Sequence, residues 1–240
     1  ENLVFSTKID YILHFYFYDI IMPTNVQTTS SSISINRTLR NTYQLLSATL
    51  LFSGLMAYLS MYLNLPYFGL LITLGGYFGL LFLVTKLRNS ASGILAVFAL
   101  TGFMGLTLGP IIGAYTTAFS NGSELVAMAM TGTAAIFLSL SFYAIVSQKD
   151  FSFLAGFLTA GIIVAFLAGI AAYFFQIPVL SLTVSAAFIL LMSGLILYET
   201  SSIIHGGETN YIMATVTLYI SIYNLFLSLL QILGIFSGND

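Results

Sequence analysis

The chain has 240 residues, 58% hydrophobic and only 6% charged, with a mean hydropathy of +0.99. An ordinary soluble domain carries about 25% charged residues, so this composition describes a membrane protein. Eight acidic against six basic residues leave a formal charge of −2, too little positive potential to hold a polyanion by counterion release, which excludes nucleic acid as a partner. The absence of cysteine excludes a disulfide framework, a thiol nucleophile and Cys-ligated zinc.

In chain order, residues 1–21 differ from everything that follows. Lys8, Asp10, His14 and Asp19 punctuate an aromatic stretch too short to span a bilayer. No basic segment precedes it and no small-residue cleavage site ends it, so it is not a signal peptide. It reads as tag or upstream sequence, with ENLVFS similar to a degraded engineered protease site and Met22 as the natural start. Residues 23–36 (PTNVQTTSSSISIN) are Ser/Thr-rich with few bulky apolar side chains, so residues 22–41 are expected to form a flexible cytoplasmic tail.

From Thr42 to the C-terminus the sequence predicts one seven-helix transmembrane domain. The candidate spans are 42–63, 68–85, 92–115, 124–146, 152–175, 178–200 and 211–236, each near the 20 or so apolar residues a crossing helix needs. Asn64 and Pro66 separate the first pair, KLRNS, SNGSE and SQKD supply polar turns, and SSIIHGGETN joins the last two. Pro178 suits the first turn of helix 6, where its missing N–H is harmless. No span alternates apolar and polar residues, which argues against a β-barrel. Pro110 is expected to bend or break helix 3 near its outer end.

Orientation follows from charge. Arg37, Arg40, Lys86, Arg88 and Lys149 all fall on one side of a seven-helix arrangement, and the opposite loops carry no Lys or Arg. The positive-inside rule makes that side cytoplasmic, with the N-terminus inside and the C-terminus outside. Gly75 and Gly79 form one GxxxG pattern and Gly105, Gly109 and Gly113 form two more. Such spacing lets helix backbones approach closely, and packing inside the bundle is favoured over a dimer interface.

Helix 7 carries the most informative pattern. Thr217, Ser221, Asn224, Ser228 and Gln231 recur at spacings of 4, 3, 4 and 3, along one helical stripe. An amide at membrane depth needs a partner, so helix 7 is expected inside the bundle, its stripe either making interhelical hydrogen bonds or lining a hydrated cavity or ion path. Glu199 is the only acid in the interior of a span, near the cytoplasmic end of helix 6 and level with residues 212–221. Its charge state depends on whether it meets apolar surroundings or Lys86 and Arg88. A proton-sensitive latch and a carboxylate reaching the headgroups beside Tyr198 are both open.

In the loop that follows, His205 and Glu208 fall short of the three or four ligands a zinc site requires. A helix-terminating turn with Gly206 or Gly207 at positive φ fits better, with Thr209 or Asn210 capping helix 7. There is no HExxH, G-x-S-x-G, Walker A or Rossmann pattern, and no Asp within any span. Catalysis is therefore not expected, and no cofactor or metal is implied.

At these residues the chain resembles the Bax inhibitor-1 family, and within it the bacterial YccA-like branch. The resemblance runs from about Arg37 to the C-terminus. It is carried by LRNTYQLLS, TGFMGLTLGPII, KDFSFLAGFL and, above all, ILYETSSIIHGGETNYIMATVTLYISIYNLFLSLLQILG. It implies a bacterial inner-membrane protein with helix 7 enclosed by the other six, and a partner in FtsH, the membrane-anchored ATP-dependent protease. Such members bind the protease, are slowly degraded by it and restrain its attack on other membrane proteins. Other family members are pH-sensitive calcium leaks that use a pair of acids on helices 6 and 7. In this sequence the first of those positions is Glu199 and the second is Ser221, so half of the pair is missing.

Overall fold

The computed structural model describes residues 25–238; the segment read as tag or upstream sequence lies outside them. The described chain is all α-helical, with seven helices long and apolar enough to cross a membrane. They are α1 (Asn25–Tyr62), α2 (Gly69–Leu87), α3 (Ser92–Ala118), α4 (Gly122–Ser147), α5 (Ala155–Phe175, led in by a 3-10 turn at Ser152–Leu154), α6 (Pro178–Ile204) and α7 (Tyr211–Ser237). Six of the seven spans start and end within about one helical turn of the expected positions. The first differs. Its backbone is helical back to Asn25, well upstream of Thr42, although only Arg37–Tyr62 is apolar enough to cross. Hydropathy marks where a helix meets apolar surroundings, not where its hydrogen-bonded backbone begins.

The turns use the chemistry the sequence advertised. Pro178 occupies the first turn of α6. Gly206, at φ +74°, closes that helix, a conformation in which any Cβ would be strained. Asn210 accepts hydrogen bonds from the N–H groups of Ile212 and Met213, at 3.0 and 3.1 Å, and so caps α7.

Packing is organised around α3 and α7, the two most extensively buried spans. α7 touches α1, α2, α3, α4 and α6 but has no backbone contact with α5, which packs on α6. The enclosure of helix 7 by all six others, implied by the resemblance, is therefore incomplete: α6 stands between α5 and α7. Among the described residues α1 and α3 share the most extensive helix–helix contact, and their small residues explain why. A Cβ at Gly105 would press into the Ser53 carbonyl, and one at Gly109 into Ser60 and the Ala57 carbonyl. Gly75, Gly79 and Gly113 have open space around the Cβ position, so only the Gly105–Gly109 pair packs within the bundle.

Pro110 neither ends nor breaks α3, which continues to Ala118. Proline removes the N–H that would bond the carbonyl four residues earlier, here Leu106. Ser60 on α1 donates its hydroxyl to that same Leu106 oxygen at 2.8 Å, so a neighbouring helix supplies the missing bond, as membrane helices require. Ser60→Ala is expected to lower stability by about 1 kcal/mol. In a Pro110→Ala background, where the backbone N–H is restored, the same change should cost almost nothing. Thermal unfolding of the four proteins in one detergent measures this coupling.

Candidate functional site around helix α7

The polar residues of α7 fall into three levels, each tied to different neighbours. At the His205 end, the Thr215 hydroxyl bonds its own helix at Tyr211 O (2.7 Å) and reaches Thr42 O on α1 at 3.3 Å. Tyr43 on α1 lies 3.4 Å from Thr200 on α6. These contacts set α1 residues 42–43, α6 residue 200 and α7 residue 215 at one height, which places Glu199 where antiparallel packing predicts. Its side chain is only 6% exposed, and its Oε1, like Thr42 Oγ1, is buried without a hydrogen bond among the described residues. Lys86 and Arg88 are exposed.

At mid-height the dominant groups are tyrosines. The Tyr219 hydroxyl lies 2.5 Å from Ser53 Oγ on α1 and donates to Thr101 O on α3 at 3.3 Å. Tyr223, stacked on Tyr219 at 6.3 Å between centroids, pairs with Thr107 on α3 at 3.2 Å. Of the expected stripe, Ser221 is fully buried but donates back to its own helix at Thr217 O (2.8 Å), and Asn224 does the same to Ile220 O (2.9 Å). Thr217 is half-buried and contributes that carbonyl, while Ser228 is buried.

At the far end Gln231 bridges to α6. It accepts from Ser185 at 2.7 Å and donates to Ser181 at 2.5 Å. The stripe is thus real as a line on the helix but not uniform in what it meets. Sequence reasoning missed Tyr219 and Tyr223 because neither falls on the Thr217–Gln231 stripe. An aromatic ring with a hydroxyl at the centre of a span, two residues to either side of Ser221, was the signal available.

The loop residues form a clasp. His205 Nδ1 lies 2.8 Å from Ser201 O and its Nε2 3.2 Å from Gln148 O. Ser201 Oγ donates to Lys149 O and accepts from the Phe151 N–H, both at 3.0 Å. The α4–α5 loop is thereby fastened to the end of α6. Within that loop the Ser152 N–H bonds the Asp150 carboxylate (2.8 Å) and holds it below the usual carboxylate range, with His205 adding a smaller effect in the same direction. Glu208 accepts from the Asn210 N–H at 2.7 Å, and the Asn210 amide donates to Arg88 O and Asn89 Oδ1 at 2.9 Å each. Asn210 therefore caps α7 and fastens the α2–α3 turn to it. Asn210→Ala is expected to cost about 1–2 kcal/mol and to speed hydrogen exchange in both the first turn of α7 and residues 88–90. Among the described residues no group of three or more His, Asp or Glu side chains is placed to hold a metal ion.

Seven apolar helices with their polar side chains joined across the bundle define a polytopic membrane protein. The family model described as "Inhibitor of apoptosis-promoting Bax1" matches residues 35–238, and the chain belongs to that family. It is 54% identical over 206 residues to an uncharacterised protein of Pseudomonas aeruginosa, covering 86% of this chain and 92% of that one. It is 52% identical over 211 residues to the Modulator of FtsH protease YccA of Escherichia coli K12, covering 88% of this chain and 95% of the relative. The Inner membrane protein YccA of Escherichia coli O6:H1 matches to the same extent.

Proposed function

We propose that this chain is a non-enzymatic protein of the bacterial inner membrane that binds FtsH and restrains its degradation of other membrane proteins. The observation that carries this reading is the near full-length likeness to a protein named as a modulator of that protease. The basic residues Arg37, Arg40, Lys86, Arg88 and Lys149 at one end of the bundle support an N-terminus on the cytoplasmic side and a C-terminus on the other. The polar segment before Arg37 then sits where an ATP-driven protease would grip it.

Removal of residues 22–36 tests the reading. The truncated protein is expected to persist where the full chain is slowly cleared, while still co-purifying with the protease from native membranes. Clearance at an unchanged rate would remove the handle, and loss of co-purification from both forms would remove the partnership.

A second reading, a pH-sensitive calcium or cation leak, draws on one observation: a buried Glu199 with an unpaired oxygen. Ser221 in place of a second acid counts against it, because a lone carboxyl has no neighbour with which to share a proton. Calcium flux in liposomes across a pH series separates the two. Flux lost in Glu199→Gln favours the leak, and absence of flux at every pH eliminates it.

A further inference from the structure

Asn224 stands midway along α7 with half of its amide in use. One N–H bonds Ile220 O at 2.9 Å, and the remaining N–H and Oδ1 have no hydrogen-bond partner among the described residues. Asn224 lines a cavity of about 610 Å³ bounded by α2, α3, α5, α6 and α7, within the range of small-molecule sites.

Three features define what this cavity would hold. First, it opens sideways. α2 and α5 make no backbone contact, and the edge-to-face pair Phe78–Phe166, at 6.0 Å between centroids, spans the gap. Ile163 and Leu167 at its mouth are 54% and 59% exposed. In a membrane-spanning bundle that opening faces the hydrocarbon, so a ligand arrives from the lipid phase.

Second, tyrosine is the only ionisable type in its lining, and an uncompensated charge at this depth is costly. The ligand is therefore neutral. Third, its walls are aromatic. Phe78, Phe103, Phe166, Phe188, Tyr77 and Tyr223 all contribute, and rings favour stacked or edge-on contact with another ring. An acyl chain needs neither these rings nor a hydrogen-bonding amide.

We infer that the cavity between α2 and α5 binds a neutral, membrane-dissolved ring compound of the quinone class, its apolar body among the aromatic side chains and a carbonyl or hydroxyl on the Asn224 amide.

The chain has no tryptophan, which makes a direct test available. Phe166→Trp installs a single tryptophan in the wall, excited selectively at the red edge where tyrosine does not absorb, and Phe142→Trp on α4, 68% exposed and outside the cavity lining, serves as the control. The full chain in lipid nanodiscs is titrated with a decyl-substituted benzoquinone. Saturable quenching in F166W and only linear, collisional quenching in F142W is the expected result. Adding Asn224→Leu to F166W should weaken the midpoint about tenfold, the scale of one lost hydrogen bond. Ile163→Phe, at the exposed mouth where folding is insensitive to side-chain size, should weaken it too and covers the case in which N224L fails to fold. Linear quenching in F166W, or a midpoint unmoved by a folded N224L, overturns the site. Equal displacement of the quinone by decanol overturns the ring assignment and marks the cavity as a chain-binding groove.

Discussion

Gly105→Leu is expected to prevent assembly of the bundle, lowering stability by about 3 kcal/mol and replacing monodisperse elution in mild detergent with aggregate. The reason is local. A side chain at residue 105 meets the Ser53 carbonyl and Met56, and the obstructing oxygen belongs to backbone that cannot rotate away. α1 and α3, which share the most extensive contact among the described helices, would have to separate along their length. Gly113→Leu is the matched control: it lies on the same helix two turns further on, with no atom within 4 Å of its Cβ position, and is expected to fold. If both variants fold equally well, the close α1–α3 approach is not what holds these helices together.

The second large effect is expected at Tyr219, the bulkiest of the fully buried side chains. Tyr219→Ala removes a ring from the centre of the core, at about 3–5 kcal/mol for a large-to-small change, and leaves Ser53 and the Thr101 carbonyl without their partner. Tyr219→Phe keeps the ring and removes only the hydroxyl. It should cost about 1 kcal/mol, the upper range for hydrogen bonds between membrane helices. Melting temperatures of the two variants therefore separate packing from hydrogen bonding. Equal losses would place the whole contribution in the hydroxyl.

The two results bear on what the sequence could and could not reveal. Spans and turns were legible because each depends on a short window: twenty apolar residues, a proline at a helix start, an asparagine before a helix. Glu199 was legible as an acid in an apolar run. Three features were not. The start of α1 lies in polar sequence without apolar periodicity, so nothing in the composition distinguishes helix from tail there. The continuity of α3 through Pro110 depends on Ser60, fifty residues earlier, and a local reading can see only the lost donor. The Asn224 amide was expected to need a partner on another helix; it bonds one turn back along its own, and the residue lines a cavity. The cavity lies where α2 and α5 fail to meet, a gap that arises from packing rather than from any stretch of sequence.

The hydroxyl pairs of Tyr219 and Tyr223 also sit on a dividing line. α1, α2 and α3 cohere through the α1–α3 and α2–α3 contacts, and α4, α5, α6 and α7 through the α6–α7, α5–α6 and α4–α7 contacts. A second cavity, of about 680 Å³, lies between α1 and α4 and is bordered by Tyr219 and Tyr223. A cavity thus lies on either side of the boundary, and Tyr223 borders both. The bonds of Tyr219 and Tyr223 to Ser53, Thr101 and Thr107 cross this boundary at mid-height, and those joining Thr42, Tyr43, Arg88 and Asn89 to Thr215, Thr200 and Asn210 cross it at the His205 end, so the two groups part only if both levels are broken together.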